Sequence, residues 1–111
     1  MRFDKSKISL KEAARILKSI YNLDGEISML DGEIDINFKV ISNNSKKYLL
    51  KISRSSFDQE YIDYQILLLE HLNKNSKIEL PKIVFSSDNK KSSIIQDSHG
   101  FNRSVRLMSW I

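Results

Sequence analysis

Apolar residues recur along the chain with two periods, and the period changes where the elements change. Leu10, Ala13, Ala14, Leu17 and Tyr21 repeat at helical spacing. Ahead of them, Ser9-Leu10-Lys11-Glu12 is a capping-box pattern, in which the serine and glutamate satisfy each other's free backbone donors. The spacing predicts an amphipathic helix over 9–22. Asn22-Leu23-Asp24-Gly25 ends it, with Gly25 able to take the left-handed C-terminal conformation. Beyond this point Ile27, Met29, Ile34, Ile36, Phe38 and Val40 alternate with polar residues, the period of strands. Asp31-Gly32 is a turn signal between two of them, and Ser42-Asn43-Asn44-Ser45 is a second. Tyr48-Leu49-Leu50-Lys51-Ile52 is a third strand, apolar enough to be central in its sheet.

A second, longer helix is predicted over 56–73, with Phe57, Tyr61, Tyr64, Leu68 and Leu72 forming one apolar stripe. Leu80-Pro81 marks an extended entry into the next strand, because the residue before proline is pushed out of helical space. Strands follow at 82–85, 92–96 and 103–110. The expected fold is α+β in the order α-β-β-β-α-β-β-β, with an antiparallel sheet of five to six strands. The last strand runs into Ile111 without a cap or polar tail, so the chain reads as one domain truncated from something longer.

Composition narrows the class. One domain is all that 111 residues support. With 41% hydrophobic residues the chain is not a disordered tail. Zero cysteines remove disulfides, thiolate metal sites and cysteine nucleophiles. No apolar run is long enough to span a bilayer or serve as a signal peptide, so the expected location is the cytoplasm and no membrane partner is expected. The net charge of +4 invites a nucleic-acid reading. Its distribution argues against one. Residues 25–38 carry four acidic groups and no basic ones, and residues 39–54 carry five basic groups and no acidic ones. The sign alternates by segment instead of gathering on one element.

Three features could carry chemistry. Lys51 lies among apolar residues on the third strand, on the same face as Leu49, where its ammonium must reach solvent or an anion. Gln65 falls inside the apolar stripe of the second helix, and a buried amide needs partners. It can bond a neighbouring backbone, or it can face Lys51 across the sheet–helix interface, with Glu60 as the fallback partner. The tip at 31–37 can offer backbone N–H groups to phosphates, and Gly32 permits close approach. Asp31, Glu33 and Asp35 repel phosphate there unless they point outward. His71 and His99 suggest a surface border and a turn, and no metal-ligand spacing or serine nucleophile motif is present.

A hairpin, a lysine strand, a helix and a hairpin ending in an apolar strand form the order of a kinase small lobe. MLDGEIDINFKV at 29–40, YLLKIS at 48–53, IDYQILLLEHL at 62–72, LPKIV at 80–84 and VRLMSWI at 105–111 resemble the aminoglycoside phosphotransferase-like small-molecule kinases. They are closest to the hydroxylysine-kinase branch and to the phosphotransferase domains fused to class III aminotransferases. The resemblance implies a nucleotide-binding N-terminal lobe, with ATP (or GTP) and Mg²⁺ as cofactors. It implies transfer of the γ-phosphoryl group to a hydroxyl of a small amino- or amino-acid-like molecule. By the same resemblance Lys51 binds the α/β-phosphates and Leu49 packs on adenine. Gly32, Asn37 and Phe38 belong to the tip that covers the phosphates. Met108 and Trp110 belong to the hinge at 108–111. Related chains often place a serine and an arginine where Gly32 and Ile34 stand here, and many kinases use a helix glutamate where this chain offers Gln65. The catalytic His-x-Asp, its downstream Asn and the metal-binding Asp are not in the sequence. The resemblance implies that they belong to a C-terminal lobe of the same polypeptide, without which the chain is expected to be inactive. The competing readings are a free-standing α+β binding or adaptor domain and a basic nucleic-acid module.

Overall fold

The computed structural model describes residues 8–30 and 35–110. Its elements are α1 (Leu10–Tyr21), β1 (Gly25–Leu30), β2 (Ile36–Ser42), β3 (Lys47–Ile52), α2 (Gln59–Asn75), β4 (Ile83–Val84), β5 (Ser93–Gln96) and β6 (Asn102–Ser109). The strands form one six-stranded antiparallel sheet in the order β1-β2-β3-β6-β4, with β5 pairing the first half of β6 and β4 its second half. β3 is central, between β2 and β6. The expected α+β order and sheet are present. The turn at Asp31-Gly32 lies outside the described residues, as does the expected strand position Ile34.

Two-residue alternation decides what each face of the sheet meets. Phe38, Val40, Leu50, Ile52, Val105 and Leu107 share one face and are fully buried against Ala13, Ile16, Leu17 and Tyr21 of α1. This is the core. The opposite face carries Asn37, Lys51 and Arg106 in register across β2, β3 and β6. The elements at its edge are tied down by side chains. Asn73 Nδ2 donates to the carbonyls of Leu69 (3.1 Å) and Pro81 (2.7 Å), holding the end of α2 to the entry of β4. At the other end of the sheet, Arg103 and Asp97 form a 2.8 Å ion pair with both side chains 1% exposed, closing the β5–β6 turn.

Three local expectations are corrected. Ser9 caps α1 by accepting from Glu12 N–H at 3.0 Å, but the Glu12 carboxylate does not return to the cap. It accepts from the backbone N–H of Ser98 at 2.7 Å, latching α1 to the β5–β6 turn. The left-handed residue that ends α1 is Asn22 (φ 55°, ψ 39°), whereas Gly25 opens β1. Glycine is required there for a different reason: a Cβ would stand 2.2 Å from the carbonyl oxygen of Ile41 on β2. Finally, α2 is turned about its axis from the expected orientation. Ile62 and Ile66 are buried, while Tyr61, Tyr64, Leu68 and Leu72 are 43–59% exposed. Neighbouring residues on a helix differ by about 100°. Both arcs are apolar, so periodicity alone does not separate them.

Candidate functional site

The site forms where α2 crosses the polar row of the sheet. Lys51 and Arg106 are direct cross-strand neighbours, and Asn37 is the neighbour of Lys51 on its other side. Two cations in adjacent positions require a counter-charge. Asp35, one residue before β2, supplies it. Its Oδ2 lies 2.8 Å from Arg106 Nη2 and 3.5 Å from Lys51 Nζ. From the helix side Gln65 Oε1 accepts from Arg106 Nη1 at 3.0 Å. Arg106 therefore joins the β1–β2 hairpin to α2 from its own place on β6.

Gln65 thus does point into the sheet–helix interface, but its partner is Arg106 and not Lys51. Glu60 is not the fallback either, since the carboxylate that reaches Lys51 is Asp35. Asp35, which would repel phosphate unless it pointed outward, points inward, where the two cations hold it. Arg106, which the sequence reading does not single out, carries a signal of its own. Val105-Arg106-Leu107 has the same apolar–cation–apolar pattern as Leu50-Lys51-Ile52.

Burial grades the cations. The Arg106 side chain is 6% exposed and that of Lys51 is 25% exposed. Burial draws the Arg106 guanidinium below its ordinary value and the Asp35 carboxylate draws it back. It remains cationic at physiological pH. Two buried polar atoms in this row have no hydrogen-bond partner, Arg106 Nε and Asn37 Oδ1. Such atoms are uncommon in a folded chain. Lys51, Gln65 and Arg106 share a cavity of about 170 Å³ with Ile66, Leu69, Ile83 and Met108. That is below the 300 Å³ or so of a small-molecule pocket, and it leaves room for a phosphate-sized group.

The remaining expected residues are distributed as follows. Leu49 lies on the Lys51 face, paired with Lys39 on one side and Met108 on the other. Met108 is nearly buried and lines the cavity. Trp110 is partly exposed, with Lys39 Nζ 5.0 Å from its ring centroid, a cation–π contact. Phe38 faces away from Lys51 into the core, at 0% exposure. Only its backbone can take part in covering a ligand. Gly32 lies outside the described residues. Among the described residues no cluster of three His, Cys, Asp or Glu is placed to hold a metal ion, and no helix is long and apolar enough to cross a membrane.

No family model and no curated protein matches the chain. Among solved structures it is similar to the amicoumacin kinase hAmiN in complex with AMP-PNP, Ca²⁺ and Ami, with a TM-score of 0.77 and 17% identity. That match covers 94% of this chain and 31% of the other. It is similar also to the microcompartment-associated aminopropanol kinase, with a TM-score of 0.76 and 16% identity over 89% of this chain and 31% of that one. The chain therefore has the fold of a kinase-like lobe found in small-molecule kinases, and it spans about a third of their length.

Proposed function

We propose that the chain is the nucleotide-binding lobe of a phosphotransferase acting on a small molecule. In this reading the complete enzyme moves the γ-phosphoryl group of ATP (or GTP) to a hydroxyl of an amino- or amino-acid-like acceptor. The hydroxylysine-kinase branch suggested by the sequence is the finer form of the proposal. The observation that carries it is the Lys51–Arg106 pair, two cations that share, among the described residues, one carboxylate, beside a phosphate-sized cavity. The structural neighbours add support, since one of them is complexed with the nucleotide analogue AMP-PNP.

The division of labour follows from the residues. Lys51 binds and orients phosphate oxygens as a charged donor. Leu49 and Met108 offer apolar contact to a base on the same face. The backbone after β6, at Trp110, meets the base edge. Phosphoryl transfer depends mainly on positioning and charge stabilisation, and Mg²⁺ bound with the nucleotide would add neutralising charge. The group that accepts the hydroxyl proton and the metal ligands belong to a second lobe. Titration of the 111-residue chain with Mg-ATP tests the reading. Saturable binding that is lost in Lys51→Met supports it, and product formation by the chain alone contradicts the division of labour.

A further inference from the structure

The geometry points to Arg106 as a positioning residue that keeps Asp35 from closing on Lys51. This inference rests on the reading of Lys51 as a phosphate ligand. Asp35 has one oxygen between two cations, and the two distances are unequal. Arg106 Nη2 holds Oδ2 at 2.8 Å, while Lys51 Nζ stands off at 3.5 Å. A charge-assisted N–H···O bond is formed at about 2.7–2.9 Å, so the first contact is complete and the second is not. Gln65 fixes the guanidinium from the helix at 3.0 Å, which stops it from following the carboxylate.

The consequence concerns competition. A carboxylate and a phosphate oxygen seek the same ammonium. If Asp35 were free it would form a full ion pair with Lys51, and an arriving phosphate would have to displace it. Arg106 removes that competitor by binding it more tightly. Lys51 is left a quarter exposed, bordering the cavity, and only loosely engaged. Arg106 is nearly buried and acts through Asp35, so it contributes without touching the phosphate itself.

A rescue experiment separates this role from a merely structural one. Mg-ATP affinity is measured on the 111-residue chain and its variants, with folding followed by circular dichroism. Arg106→Gln is expected to weaken binding about tenfold, because the freed Asp35 closes on Lys51. Adding Asp35→Asn to it removes the competing charge and is expected to bring affinity back to within about threefold of the parent. Arg106→Lys, which keeps the charge but cannot hold Asp35 and Gln65 together, is expected to fall between. A double variant that binds no better than Arg106→Gln overturns the inference, as does an Arg106→Gln chain that binds normally. If Lys51→Met leaves affinity unchanged, or the parent shows no saturable binding, the phosphate reading itself falls and this inference with it. If Lys51→Met weakens binding while Arg106→Gln does not, only the inference falls.

Discussion

Lys51 and Arg106 stand opposite each other on β3 and β6 and share a single oxygen of Asp35. Like charges directly across a ladder destabilise a sheet, so Asp35 makes the arrangement tolerable. A direct expectation concerns stability. Asp35→Asn should lower the free energy of unfolding in urea by about 1–3 kcal/mol, since it weakens the hold on a buried guanidinium. Lys51→Met should change it much less, because its ammonium is partly solvated and removing it also relieves repulsion from Arg106. Equal losses in the two variants would mean that the carboxylate does not serve Arg106 preferentially.

The orientation of α2 can be checked by substitution on adjacent positions. Ile66 is 5% exposed and Leu67 is 62% exposed. Ile66→Ala should cost about 2–4 kcal/mol, the range for truncating a buried aliphatic side chain. Leu67→Ala should stay within about 0.5 kcal/mol, as expected on a surface. Comparable losses at the two positions in denaturant unfolding would contradict the orientation seen here.

Asp97 gives an acid-sensitive contact. Burial pushes its carboxyl up, but the backbone N–H groups of Phe101 and His99 and the Arg103 guanidinium outweigh it, and the group lies below the ordinary carboxylate range. A carboxylate held low in the folded state adds stability above its unfolded value and loses it as pH falls through the folded one. Stability should therefore decline below the ordinary carboxylate range, about pH 4, and the decline should be smaller in Asp97→Asn. The same variant should cost about 3 kcal/mol at neutral pH, because a buried guanidinium loses its carboxylate. Urea unfolding at neutral and acidic pH reads both effects.

Tyr21 gives the opposite window. Burial holds its phenol far above the ordinary value, outweighing a backbone contact at Leu107 and the charge of Arg106, which pull the other way. A group whose folded pKa is raised contributes stability that is present below the unfolded value and is lost as pH rises beyond it. The parent chain should thus lose stability above about pH 10. Tyr21→Phe should remove part of that alkaline loss. An alkaline melting profile identical in the two chains would contradict the assignment.

Much of the fold was legible without coordinates. Phe38, Val40, Leu50, Ile52, Val105 and Leu107 alternate with polar residues, and a period of two leaves one choice of buried face. Ser9 is a cap because its hydroxyl is in reach of its own helix. Lys51 stands out because a cation between Leu50 and Ile52 on a central strand must be explained. These are local facts, set by bond geometry and burial within a few residues. What tertiary structure decided is of another kind. It chose which apolar arc of α2 turns inward, a choice that Gln65 and Asn73 reinforce through bonds to Arg106 and Pro81. It took Glu12 from its expected cap to Ser98. It drew Asp35 inward and made Arg106 its partner across 71 residues of chain. Each of these depends on a charge or amide meeting a partner far away in sequence. Periodicity records only which residues share a face, and says nothing of who stands opposite.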